Sequence, residues 1–302
     1  MARRVLAIGE CMVELSSAGD GLLRQGFAGD TFNTAWYLRH CLPADWTVDY
    51  LSAVGTDALS DQMLAFMQAS GIGTAHVAQR AETTVGIYLI SLQNGERSFS
   101  YWRDSSAARR LADDPVALAH GLAGAALVVF SGITLAILPA SGRAALLAAV
   151  AQARSNGALV AFDPNMRARL WPEVAELRHW VTAAARGADI VLPSFDEDAR
   201  VFGDASPSVT IARYRALGVG CVVVKNGGGM VETWEGSACE MQPAPQSVVD
   251  STAAGDSFNA GFLAARMQGA SMPESLQQGA ALAAQVIAAP GALIAPKKLT
   301  PP

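Results

Sequence analysis

Charge is scarce in this chain. Asp, Glu, Lys and Arg make up 16% of its 302 residues, and 22 basic against 27 acidic side chains leave a net charge of −5. A mildly acidic protein is a poor non-specific binder of nucleic acid or of an anionic membrane, since both demand a surplus of cations facing phosphate. A local basic pocket is compatible with that balance. Cysteine is just as sparse. Cys11, Cys41, Cys221 and Cys239 stand far apart, with no C-x-x-C pair and no Cys/His spacing of a metal site. They read as four reduced thiols in a cytoplasmic protein. Long apolar runs are missing as well. The short run after Arg3 and Arg4 is interrupted by Glu10, too soon for a secretory signal, and residues 280–295 are broken by Gln285, Pro290 and Gly291. These absences predict a soluble cytoplasmic protein with neither a nucleic-acid nor a membrane partner.

Several catalytic signatures are absent too. No G-x-x-x-x-G-K-[ST] run occurs, which excludes a P-loop, and no G-x-G-x-x-G follows the first apolar run, which argues against a dinucleotide-binding dehydrogenase. Neither a zinc-protease helix motif nor a nucleophile elbow is found.

What is present is an alternation. Short β-branched runs at 5–8, 127–130, 159–162, 190–192 and 221–224 each end in a Gly, Pro, Ser or Asn turn, and Ala/Leu-rich stretches such as 143–154 and 177–186 carry helical spacing. Strand–helix alternation predicts an α/β fold with a mostly parallel sheet, and strands apolar throughout predict burial on both faces. The length fits one large α/β domain. Two regions differ. Residues 10–17 extend the first strand with alternating character, and 84–103 alternates around Gly86, Tyr88, Tyr101 and Trp102 with the hairpin dipeptide Asn94-Gly95 inside it. These pieces predict a small antiparallel sheet outside the main core, either an ordinary edge hairpin or an active-site lid.

The most informative segment is Asp250-Ser-Thr-Ala-Ala-Gly-Asp256. Phe258, Phe262 and Leu263 follow at helical spacing, so a helix begins near Ala254. Small residues at 253–255 leave backbone N–H groups uncovered at a helix N-terminus, where anions such as phosphate bind. Asp256 falls in the first turn. Its carboxylate either accepts a proton from a substrate hydroxyl or simply complements the helix dipole, as first-turn acids commonly do.

The full spacing resembles the signature of the ribokinase-like (PfkB-type) carbohydrate kinases, and the resemblance extends over nearly the whole chain. It implies the ribokinase-like fold over residues 1–302, a central mostly parallel sheet flanked by helices, with an antiparallel lid formed by roughly 11–33 and 84–103. It implies that Ala253, Ala254 and Gly255 form an anion hole and that Asp256 is the catalytic base. Gly29-Asp-Thr-Phe-Asn33 looks like the family's sugar-binding motif, which makes Gly29 and Asn33 substrate residues. Asp163-Pro-Asn-Met-Arg167 follows a strand as in the family, and the segment 189–197 looks like its strand-to-metal stretch, with Ser194 on the nucleotide side and Glu197 influencing Mg2+ through water. Lys225-Asn-Gly-Gly resembles the nucleotide-side strand end. Lys225 there either reaches solvent or meets a phosphate, whereas Gly227 allows close approach of a nucleotide.

Within the family, Gly9-Glu-Cys-Met-Val-Glu14, Gly86-Ile-Tyr88, Tyr101-Trp-Arg103, the segment 131–136 and the segment 192–196 resemble the branch acting on 2-keto-3-deoxygluconate. This implies ATP- and Mg2+-dependent phosphorylation of the terminal C6 hydroxyl of that sugar acid, and a homodimer or higher homo-oligomer. A sugar acid carries a carboxylate, whose best partner is a planar guanidinium. Arg103 and Arg167 are the candidates, with Tyr88 and Tyr101 supplying hydroxyls and an aromatic wall; the resemblance associates all four positions with the sugar acid. A kinase for a neutral sugar such as fructose, or a non-catalytic sugar sensor on the same fold, are the competing readings. His40, His76, His120 and His179 show no partner spacing and read as surface or packing residues.

Overall fold

The computed structural model describes residues 3–93 and 96–297; the expected turn Asn94-Gly95 lies outside the described residues. Alternation along the first strand sets the architecture. Val5 and Ala7 enter one hydrophobic core while Leu6 and Ile8 enter another, and all four are fully buried. A strand buried on both faces needs a layer on each side.

The strands are β1 (Arg4–Ile8), β2 (Met12–Gly19), β3 (Leu22–Ala28), β4 (Thr47–Val54), β5 (Ile72–Gln79), β6 (Ile87–Gln93), β7 (Glu96–Trp102), β8 (Leu127–Ser131), β9 (Leu159–Asp163), β10 (Ile190–Val191), β11 (Cys221–Val224), β12 (Val231–Glu235) and β13 (Ser237–Met241). The helices are α1 (Asp30–Cys41), α2 (Ala58–Ala69), α3 (Pro115–Leu122), α4 (Gly132–Ile137), α5 (Ala140–Ser155), α6 (Val174–Arg186), α7 (Phe195–Phe202), α8 (Pro207–Ala216), α9 (Ala254–Met267) and α10 (Met272–Ile287). All the expected strands and helices recur within these bounds, with 190–192 shortened to two residues.

Nine strands form the main sheet in the order β13-β12-β11-β10-β9-β8-β1-β4-β5. It is parallel from β11 to β5, and β12 and β13 add an antiparallel edge. One face packs on α1, α2, α9 and α10 through side chains such as Phe32, Met63, Phe262 and Leu282. The other packs on α3 to α8 through Leu118, Leu146, Val181 and Tyr214 among others. The strand order reverses around β1, which lies between β4 and β8. In open α/β sheets such a switch point opens a crevice at the carboxyl ends of the strands.

The first strand does not continue through residue 17. It ends at Ile8, and the chain leaves the main sheet at Gly9, where a Cβ would lie only 2.3 Å from Thr31 Oγ1. From Met12 it builds a second sheet of order β3-β2-β6-β7. Two antiparallel hairpins, β2–β3 and β6–β7, meet there along a parallel seam between β2 and β6. The segment 11–33 therefore holds β2, β3 and then the first turn of α1. Among the described residues no helix is long and apolar enough to cross a membrane.

Candidate active site

A cleft of 740 Å³ lies where the carboxyl ends of β1, β9, β10 and β11 face the small sheet, with the N-terminus of α9 as a further wall. Gly29, Asn33, Tyr88, Tyr101, Arg103 and Arg167 line it. So do Ser194, Glu197, Lys225 and the run Ala253 to Asp256. Gly227 does not; it occupies an exposed turn beyond β11 with φ +56°.

The start of α9 is strained in a way that exposes its amides. Ala253, the cap residue, has φ +60°, a left-handed conformation that costs a non-glycine residue roughly 1–2 kcal/mol. The first helical bond runs from the Ser257 amide to the Ala253 carbonyl at 2.9 Å. No backbone carbonyl among the described residues accepts from the amides of Gly255 or Asp256. A Cβ on Gly255 would lie 3.5 Å from Lys225 Nζ, so an ammonium group stands beside these amides. Unpaired amides, a helix dipole and a cation together suit a phosphate group.

Asp256 is held from α1. Asn33 Nδ2 donates to Asp256 Oδ2 at 2.8 Å. Asn33 is itself tied to Gly29, whose amide donates to Asn33 Oδ1 at 3.3 Å and whose carbonyl accepts from the Asn33 amide at 2.7 Å. Gly29 is required there because a Cβ would meet the Glu10 carbonyl oxygen at 2.1 Å. Burial, reinforced by the negative charge of Asp30 and then of Asp163, pushes the Asp256 carboxyl up to about 7. A carboxylate at that value suits proton abstraction near neutrality.

Lys225 does not reach solvent. It is 8% exposed, and its ammonium donates to Asp163 Oδ2 at 2.9 Å and to Asn259 Oδ1 at 3.1 Å. Asn259 Nδ2 donates to the same Asp163 oxygen at 2.6 Å. Asn165, at φ +32°, donates its amide to Asp163 Oδ1 at 3.1 Å and its side chain to Asp30 Oδ2 at 2.9 Å. Asp30, Asp163 and Asn165 lie inside the segments 29–33 and 163–167 but carry no expected role there, and Asn259 is not among the expected site residues. Asp163 and Asn165 stand directly after an apolar strand, and Asn259 follows Asp256 by three residues on the same helix, so the signal was local spacing.

Both guanidiniums expected to meet a substrate carboxylate already carry an internal one. Arg103 pairs with Glu10, and both side chains are buried, at 6% and 1% exposure. Arg167 pairs with Glu197, whose other oxygen accepts from the Met166 amide at 2.9 Å. Burial outweighs Arg167 and leaves the Glu197 carboxyl above its ordinary value. Tyr88 donates to Glu14, and its ring stacks on Tyr101 at 5.9 Å. Arg169, also unforeseen, donates to the Tyr101 hydroxyl at 2.6 Å. The described residues hold no group of three or more His, Cys, Asp or Glu able to cage a metal. Mg2+ in general binds through one or two carboxylates plus phosphate oxygens and keeps several waters, and Glu197 stands on the cleft wall.

Residues 2–298 match the pattern of the pfkB family carbohydrate kinases. This chain belongs to that family. Among curated pfkB family relatives, the 2-dehydro-3-deoxygluconokinase of Dickeya dadantii is 38% identical over 301 residues, 97% of each chain. The 2-dehydro-3-deoxygluconokinase of Escherichia coli K12 is 37% identical over 311 residues, with 100% of both chains covered. An E. coli structure solved in complex with ATP and Mg2+ superposes with a TM-score of 0.84 at 22% identity, covering 97% of this chain and 94% of that one. The nine-stranded sheet with its small companion sheet is thus the ribokinase-like fold.

The buried pair between the two sheets generates a stability prediction. Arg103→Ala leaves the Glu10 carboxylate uncompensated and is expected to lower unfolding free energy by about 3–5 kcal/mol in urea titration. The double variant Glu10→Leu, Arg103→Met removes both charges and is expected to lose less than the single one; an equal or larger loss would show that packing, not charge compensation, sets the cost.

Proposed function

We propose that this chain is an ATP-dependent kinase that phosphorylates the C6 hydroxyl of 2-keto-3-deoxygluconate, the 2-dehydro-3-deoxygluconate of the relatives' names, to give 2-keto-3-deoxy-6-phosphogluconate. The observation that carries the reading is Asp256, a carboxyl near 7 placed beside unpaired amides at the mouth of α9. Full-length relatives at 37–38% identity support the substrate.

In this reading Asn33 orients Asp256 so that one oxygen faces the sugar. Asp256 takes the proton from the C6 hydroxyl as that oxygen attacks the γ-phosphoryl group. The amides of Gly255 and Asp256, aided by Ala253 and Ala254, stabilise the charge on the transferring group. Lys225 and Ser194 line the nucleotide side, and the exposed turn at Gly227 leaves room for the rest of the nucleotide. Mg2+, when bound, would neutralise phosphate charge, and Glu197 is the side chain that would meet it through water. The small sheet, with Tyr88 and Tyr101 on the cleft side, acts as a lid that keeps water from the phosphoryl group. Leu22, Leu23 and Trp102 of that sheet are 66%, 53% and 59% exposed, which supports association of two or more copies.

A kinase for a neutral sugar such as fructose is the second reading. One observation favours it, namely that Arg103 and Arg167 already hold Glu10 and Glu197. A coupled ADP-release assay on 2-keto-3-deoxygluconate, its galactonate epimer, fructose, ribose and gluconate separates the two. Turnover confined to the keto-deoxy acids is expected, and preference for fructose would reverse the assignment. Asp256→Asn is expected to bind both substrates and lose roughly 10²- to 10⁴-fold in kcat. In the wild type, kcat/KM should rise about tenfold per pH unit below pH 7 and level off above it, since the base acts only when deprotonated. Near-normal turnover by Asp256→Asn, or a flat profile through pH 6–8, would remove Asp256 from this role.

A further inference from the structure

A cation stands in an unfavourable place behind the cleft. Arg143 lies in the first turn of α5, where the helix dipole disfavours positive charge, and it is 6% exposed. Other elements compensate it. Its Nε–H donates to the Leu135 carbonyl of α4 at 2.8 Å, and its guanidinium pairs with Glu176 of α6. The guanidinium carbon lies over two indoles, 4.7 Å from the Trp171 ring centroid and 5.6 Å from that of Trp180. Burying a guanidinium is costly without partners, and here a carboxylate, a carbonyl and two aromatic faces offset that cost.

Trp171 is where this cluster meets the cleft. It ends the stretch 164–171 that follows β9, and residues 165–170 of that stretch all line the cleft. Arg143, Trp171 and Trp180 do not. The stretch is seated at both ends. At its start it lies against α4, where a Cβ on Gly132 would meet the Pro164 carbonyl oxygen at 1.8 Å. At its end the Trp171 amide closes a 3-10 turn on the Ala168 carbonyl at 3.1 Å, and the Trp171 side chain is buried. The indole nitrogen of Trp171 has no hydrogen-bond partner among the described residues, so packing and the Arg143 cation hold the ring. Between the two ends the stretch reaches across the cleft. Asn165 donates to Asp30 at 2.9 Å, Arg167 pairs with Glu197, and Arg169 donates to the Tyr101 hydroxyl at 2.6 Å. A short stretch seated at both ends takes the position of its middle from those ends.

We infer that Arg143 is a positioning residue for the sugar side of the cleft: through its stack on Trp171 it sets where residues 165–170 stand, without touching a substrate. This rests on the reading of the cleft as that of a sugar kinase, though not on which sugar it takes. Glu176 and the Leu135 carbonyl fix the guanidinium, the guanidinium fixes the Trp171 ring, and the ring fixes the end of the stretch. Asp256 is held separately, by Asn33 of α1. Ser194 and Lys225 follow β10 and β11. The base and the nucleotide side therefore do not depend on this contact.

The test uses the intact chain and the sugar that it phosphorylates fastest in the ADP-release panel, so a wrong sugar assignment and a failure of this inference are read separately. Arg143→Lys keeps a charge near Glu176 and loses the planar stack. Its KM for the sugar is expected to rise roughly 5- to 20-fold, with KM for ATP and the pH profile unchanged. Trp171→Phe removes the indole from the other side of the same contact and should raise the sugar KM by a similar factor; it carries the test if the lysine variant melts early. The double variant should be no worse than the more impaired single one, because both changes remove one contact. Trp180→Phe is the control. It weakens the same cation from α6, lowers Tm comparably and is expected to leave both KM values unchanged. A sugar KM unchanged in both Arg143→Lys and Trp171→Phe, equal rises for sugar and ATP, or a rise in Trp180→Phe matching that in Trp171→Phe would overturn the inference while leaving the kinase assignment intact. No turnover on any sugar of the panel would overturn both.

Discussion

The Asp163 carboxylate is the point on which the site depends. Its oxygens accept from the Lys225 ammonium, the Asn259 amide and the Asn165 backbone. Those groups come from the end of β11, from α9 and from the loop after β9, three elements far apart in sequence. With the three donors converging on one anion, the carboxyl ends of the strands and the N-terminus of the helix are fixed relative to one another. The amide of Gly255 and the carboxyl of Asp256 inherit their positions from that convergence. A buried charge-assisted network of this kind rigidifies only when its members are satisfied, and here Lys225, Asn259 and Asp163 satisfy each other.

The same region gathers more negative charge than a cleft usually tolerates. Asp30, Asp163, Glu197 and Asp256 share it, and the carboxyls of Asp30, Glu197 and Asp256 all lie above their ordinary values because burial disfavours the ionised form. The cations are therefore placed one to an acid: Lys225 against Asp163 and Arg167 against Glu197. Asp256 is left with a neutral partner, Asn33. A cation in its place would have held Asp256 ionised but weakly basic. The amide of Asn33 orients it and leaves its basicity high.

The central fold was legible because the parallel strands are apolar on both faces and the helices between them keep their period. The strands β4 and β5 at one end of the sheet were not. β4 carries Asp49 and Ser52, and β5 reads Ile-Gly-Thr-Ala-His-Val, with Gly73 and His76 breaking any apolar run. Asp49 is accommodated because Arg4 of the neighbouring strand pairs with it at 3.2 Å, a tertiary fact invisible in a local window. At the site, the spacing of 250–256 left Asp256 open between proton acceptor and partner of the helix dipole, and the roles of base and anion hole came only from the resemblance to the family. What was illegible was the pairing of charges. Arg103 and Arg167 stood out as free guanidiniums because Glu10 and Glu197 are 93 and 30 residues away in sequence. Arg169 carried no sequence expectation; it is brought to the cleft wall by its contact with Tyr101 of β7.

The parallel seam of the small sheet has a kinetic meaning. Val13 pairs with Ile87 across 74 residues of chain, and that intervening chain contains α1, β4, α2 and β5. A hairpin can form from its own turn, but a parallel seam of this span closes a long loop, whose entropy is offset only once the intervening elements are packed. The β2–β3 and β6–β7 hairpins can therefore appear early and apart, and they join only after β4 and β5 have docked on the main sheet. Tyr88 and Tyr101 belong to the later-arriving partner. The small-sheet side of the cleft is thus a product of complete folding, and a chain stalled before that seam would hold the N-terminus of α9 without a wall to face it.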